Sequence, residues 1–141
     1  MILIEKKIFY AAYSSIGFLL DEIKTKCDNL NFQRNDISEV CIIIDEMISN
    51  IIKYSYNNDK TKMFNLEIKF VDSYMIFIFE DSGEKFDLTL YDKIPEYDIE
   101  IENIKIGGLG IYFIKEYSDK IDYLRTTYGK NKVTIKKKIK V

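Results

Sequence analysis

Residues 63–71 (MFNLEIKFV) set Phe64, Leu66, Ile68 and Phe70 on alternate positions. Only Asp72-Ser73 separates them from a second run, the apolar and aromatic Tyr74–Phe79. A period of two is the spacing of a strand with one buried face. A two-residue connection can join only antiparallel neighbours, because a parallel pair needs a crossover of a dozen or more residues. This hairpin therefore constrains the fold more than any other stretch. A second hairpin follows at the end of the chain, Lys120–Tyr128 and Lys132–Val141 around Gly129-Lys130-Asn131, and Ile2–Phe9 reads as a fifth strand.

Helical spacing fills most of the remainder. Ile16, Leu19, Leu20, Ile23 and Cys27 mark a helix from a Ser14 or Ser15 cap to about Asn29. Asp36 with Glu39 forms a capping-box pattern that opens a second helix running to about Tyr56, with Val40, Ile44, Met47, Ile48 and Ile51 as its apolar stripe. Gly108–Tyr117 is a third. Residues 84–106 have weak periodicity, the chain's one proline and many acids, and are expected to form a long loop. The order β-α-α-β-β-loop-α-β-β predicts an α/β two-layer sandwich. Its sheet is expected to be mixed but mostly antiparallel, with about five strands and three helices on one face. Residues 1–141 are expected to form a single domain.

Composition narrows the chemistry. The chain has no histidine, which removes imidazole acid–base catalysis, Ser-His-Asp triads and phosphohistidine formation within this polypeptide. Two cysteines, Cys27 and Cys41, lie in apolar helical stretches and match no metal or disulfide framework, as expected in a reducing, cytoplasmic compartment. No apolar run reaches membrane-spanning length, and charges interrupt any leader-like pattern in residues 1–9. A net charge of −2 gives no bulk attraction to nucleic acid. In the lysine-rich tail, Val133, Ile135, Ile139 and Val141 share one face and Thr134, Lys136, Lys138 and Lys140 the other, the pattern of a protected sheet edge.

Three stretches could carry function. In IIIDEMISNIIKYSY (residues 42–56), Glu46 and Asn50 stack one turn apart on the margin between the apolar stripe and a polar face of Asp45, Ser49, Lys53 and Tyr56. The pair could line a cleft or simply edge a solvated helix. In FEDSGEKFD (79–87), Asp81 falls at a strand end and Gly83 allows a turn with close approach of a ligand; a plain turn has the same pattern. Gly107-Gly108-Leu109-Gly110 opens a helix with bare N–H groups that suit an anion. It is neither a Walker A motif nor a dinucleotide fingerprint, and a tight turn into a helix would also account for it.

Taken in this order, the acid/amide helix edge, the D-x-G after a strand, the long loop and the glycine-rich helix start resemble the GHKL ATPase superfamily. Within it, "DSGEKFD" and "GGLGIYFIKEYSDKIDY" are similar to the anti-sigma factor serine/threonine kinases. The resemblance covers nearly the whole chain and implies a Bergerat-type ATP-binding fold with an ATP lid at about 84–106. It implies that Glu46 is the general base on an acceptor serine. It also implies that Asn50 binds Mg²⁺, that Asp81 binds the adenine amino group with Gly83 under the ring, and that Gly107, Gly108, Leu109 and Gly110 form the phosphate-contacting stretch. Lys53 fits the phosphate-binding lysine of the sensor-kinase N box, and Lys105 lies nearest the glycines to meet the γ-phosphate.

The chain departs from the family pattern at Tyr54, where histidine is common, and in having no arginine in the lid. The implied function is phosphorylation of a STAS-domain anti-anti-sigma protein by a kinase that also sequesters a sigma factor. The resemblance leaves room for a homodimer and implies neither nucleic-acid nor membrane binding. Two alternatives stay open: an ATP-gated binding module with little phosphotransfer, and the catalytic domain of a split histidine kinase.

Overall fold

The computed structural model describes residues 1–91 and 108–140. Five strands, β1 (Ile2–Tyr10), β2 (Met63–Val71), β3 (Tyr74–Asp81), β4 (Lys120–Arg125) and β5 (Asn131–Lys138), form one sheet in the order β1-β2-β3-β5-β4. Every ladder is antiparallel, a stricter arrangement than the mostly antiparallel sheet expected. The β2–β3 register runs from Phe64 opposite Asp81 to Val71 opposite Tyr74. Asp72 and Ser73 both take positive φ (50° and 67°), the hand that matches the twist of a two-residue hairpin.

Three helices, α1 (Ser14–Asn29), α2 (Arg34–Asn50) and α3 (Gly108–Tyr117), complete the described elements of regular length. α2 packs between α1 and α3. Alternation decides which sheet face they cover. Phe64, Leu66, Ile68, Met75, Phe77, Phe79, Val133 and Ile135 are buried, in one cluster with Leu19, Ile23, Val40, Ile44, Ile48, Ile111 and Ile114 of the helices. The intervening strand positions, among them Asn65, Glu67, Glu80 and Thr134, keep part of their surface in solvent. Cys27 and Cys41 are free thiols in the core, and burial pushes Cys27 up to about 12. Among the described residues no helix is long and apolar enough to cross a membrane.

Local chemistry departs from expectation in three places. α2 starts at Arg34 with no side-chain cap, and the Asp36–Glu39 capping box does not form. Asp36 is buried instead; its Oδ2 accepts from Lys140 N (2.9 Å) and its Oδ1 faces Lys137 Nζ (3.9 Å). Lys137 also donates to Glu39 Oε2 (2.8 Å), so a buried lysine on the inner face of β5 ties two acids of α2. Ser15 does not cap α1, because its hydroxyl donates to Tyr10 O (3.0 Å).

The end of the second helix differs most. Its α-helical part stops at Asn50, and Ile51–Ser55 continues as a wider π turn closed by Tyr56 N donating to Ile51 O (3.0 Å). The extra residue rotates Tyr56 off the polar face assigned to it. Tyr56 is buried, donates to Met63 O (2.5 Å) and accepts from Ser82 N (2.8 Å).

Candidate nucleotide site

The site lies where the end of α2 meets the end of β3. Asn50 and Asp81, 31 positions apart in sequence, line one small cavity of about 10 Å³ with Ser55, Phe86 and Asn131. Both are nearly inaccessible, 6% and 5% exposed. Asn50 Nδ2 is buried there with no hydrogen-bond partner, an amide aimed into the site without an acceptor.

Asp81 is held by donors. Gly83 N (2.9 Å) and Asn131 Nδ2 (2.9 Å) both donate to its Oδ1. Burial raises its pKa above the ordinary value. Hydrogen bonds from Asn131, Gly83 and Ser55 and the nearby Arg125 charge oppose that rise. The bend that follows is pressed onto the π turn: Glu84 N donates to Ser55 O (2.8 Å), and a Cβ on Gly83 would lie 2.2 Å from that same carbonyl. Gly83 is thus required by backbone-to-backbone contact, a demand independent of any ligand ring.

Glu46 stands one turn before Asn50 and leans on α3. A Cβ at Gly110 would meet Glu46 Oε2 at 2.2 Å, so the missing side chain is what houses the carboxylate. Burial, then the Asp45 charge, raises the Glu46 pKa, and Lys53 opposes the shift. Lys53 itself is exposed, as is Leu109. Gly108 is the first residue of α3. Lys105 and the rest of the expected lid, residues 92–106, lie outside the described residues, as does Gly107. The lid's first part, 84–91, contains a single short helical turn, Leu88–Leu90.

The model of the Histidine kinase-like ATPase domain family matches residues 14–137. The chain belongs to this family. The histidine kinase-like ATPase domain so identified includes all the site elements described above. Serine-protein kinase RsbW of Staphylococcus aureus strain JH9 is 29% identical over 105 residues, 72% of this chain and 64% of the relative. The match thus spans just under two thirds of that relative's length, and strain Newman gives the same values. Among solved structures, a chain of the SiaB–SiaC complex from Pseudomonas aeruginosa aligns with a TM-score of 0.73 at 11% identity, covering 95% of this chain and 89% of that one. The structure of the RsbU and RsbW domains of a Mycobacterium tuberculosis protein gives 0.60 at 10%, covering 96% and 32%. These two likenesses show the fold.

Sequence reasoning missed the other half of this candidate site, the start of β5. The sequence reading puts Asn131 in a turn, whereas it is the first β5 residue and pairs directly with Asp81. It is 2% exposed. Its Nδ2 donates to Asp81 and to Glu84 O (2.6 Å). Its Oδ1 accepts from Phe86 N (3.2 Å), Arg125 Nη1 (3.1 Å) and the Tyr123 hydroxyl. Arg125 also donates to Gly83 O (2.8 Å). The one available sequence cue was register: extending the last strand back by a residue puts a buried-face amide beside the D-x-G aspartate. Tyr54 stacks on Phe86 with centroids 5.0 Å apart.

Proposed function

We propose that this chain is an ATP-dependent protein serine/threonine kinase that acts as an anti-sigma factor, phosphorylating a STAS-domain anti-anti-sigma partner and sequestering a sigma factor in the cytoplasm. The observation that carries this reading is the buried pair Asn50 and Asp81 on one cavity, with Glu46 one turn away against α3. Membership of an ATPase-domain family and the likeness to serine-protein kinases support it. A cavity of about 10 Å³ has room for one water, so base entry requires the cavity to widen.

In this reading Asp81 accepts a hydrogen bond from the adenine amino group. Asn50 fits a magnesium triphosphate, since its Nδ2 lacks an acceptor and its Oδ1 is a hard oxygen ligand. Magnesium, when bound, neutralises charge on the triphosphate. Gly107, Gly108, Leu109 and Gly110 are the proposed phosphate-contacting stretch, with Lys53 and Lys105 as cations for the phosphates. Glu46 takes the proton of the partner's serine or threonine hydroxyl as its oxygen bonds to the γ-phosphorus and the bond to ADP breaks. Its raised pKa brings the base nearer neutrality, where proton transfer is most effective.

A second reading, an ATP-gated binding module, is favoured by one observation: no arginine lies between residues 84 and 110 to stabilise the transferring charge. Transfer of label from γ-labelled Mg·ATP to the source organism's STAS-domain proteins separates the two. The kinase requires acid-stable label on the partner, reduced about 10²-fold or more in Glu46→Ala and lost in Asp81→Asn. ATP-induced stabilisation without label selects the binding module. Failure of ATP to stabilise the wild type would overturn both.

A further inference from the structure

We propose that Asn131 is a positioning residue for base selection, holding Asp81 by Oδ1 so that Oδ2 is the oxygen presented to an exocyclic amine. The inference rests on the nucleotide reading above and deepens it.

The carboxamide of asparagine has two N–H donors and an oxygen with two lone pairs. At Asn131 the donors go to Asp81 Oδ1 and Glu84 O, and the oxygen receives Phe86 N, Arg125 Nη1 and the Tyr123 hydroxyl. Nothing is left over for a ligand, so Asn131 acts through Asp81. On Asp81 the donors from Asn131 and Gly83 converge on the same oxygen, Oδ1, and Ser55 also hydrogen-bonds to the carboxylate. Oδ1 is thus the oxygen that the Asn131 hub holds.

Asn131 also grips the bend after β3 at Glu84 O and Phe86 N, while Arg125 grips it at Gly83 O. Three residues of the β4–β5 hairpin thus set the orientation of an acid on β3. A carboxylate only accepts hydrogen bonds. It pairs with the 6-amino group of adenine and faces the carbonyl oxygen of guanine as a second acceptor. A carboxylate free to turn loses the first contact and relaxes the second conflict.

The experiment measures binding of Mg·ATP and Mg·GTP by calorimetry to the wild type, Asn131→Ala and Asn131→Asp, with circular dichroism to check folding. The wild type should prefer ATP. Asn131→Ala should lower ATP affinity about tenfold, the loss of one hydrogen bond to a charged group, with GTP little changed, so that the preference collapses. Asn131→Asp keeps the shape but sets an acceptor against Asp81 Oδ1 and Glu84 O, and should lose more. If either fails to fold, Arg125→Met and Tyr123→Phe loosen the same hub from β4 and should lower the ATP:GTP ratio about threefold each. Parallel loss of ATP and GTP binding in folded variants, at an unchanged ratio, would overturn the inference and leave Asn131 a structural tether. A wild type that binds neither nucleotide sinks the proposed function, and this inference with it.

Discussion

Gly83 and Gly110 are the same residue type under different constraints, and the difference can be measured. The Cβ of Gly83→Ala would fall on the carbonyl of Ser55, which is backbone and cannot step aside. Urea denaturation should show a loss of about 3 kcal/mol, the upper end of overpacking costs. The Cβ of Gly110→Ala would fall on Glu46 Oε2, the free end of a flexible side chain, in a helix where alanine is the better former. Its stability should hold within ~1 kcal/mol, while phosphotransfer drops at least tenfold as the base is displaced. The sequence shows that glycines gather beside an acid, an amide and a D-x-G. It cannot show what each glycine touches, because the contacts come from segments 28 and 64 positions away, at Ser55 and Glu46. Asn131 was hidden for the same reason, since its partners lie across a ladder.

At the scale of elements, period-two alternation made β2 and β3 readable almost to the residue, and glycine spacing did the same for α3. The start of α2 was not readable, because its capping box competes with tertiary partners. Asp36 has the right spacing from Glu39, but burial beside Lys137 outweighs a local cap. The π turn was equally hidden, since no residue type between Ile51 and Ser55 demands the extra position. Lys137 obeys the alternation that places Val133 and Ile135 inward, although its charge suggests the outer face. It also reaches toward Tyr117 O (3.4 Å), so one side chain joins β5, α2 and the end of α3. Lys137→Met would leave Asp36 buried without its cation and should cost about 3 kcal/mol in a denaturant melt. A larger deficit in the double variant with Asp36→Asn than in the single would contradict this account.

For the whole molecule, a buried acid at the centre of the site is a standing cost to stability. Burial lifts the folded pKa of Asp81 above its ordinary 3.8, so the folded chain holds that proton more tightly than the unfolded chain. The favourable contribution is complete below pH 3.8 and is lost as pH rises through the elevated folded value. Asp81→Asn should therefore melt above the wild type at pH 7, with the gap closing in acid, and should gain nothing from added ATP. Equal melting points at pH 7 would contradict the burial argument. The strand order has a further consequence, in time. β5 comes last among the described strands yet lies inside the sheet, between β3 and β4. As a chain emerges from the ribosome, Glu46, Asn50 and Asp81 are made well before Asn131. Until β5 inserts, β3 has an open edge and β4 has no neighbour to pair with. The Asp81 side of the cavity is thus completed last, and a chain cut short before residue 131 would carry its acid without the strand that pairs with it.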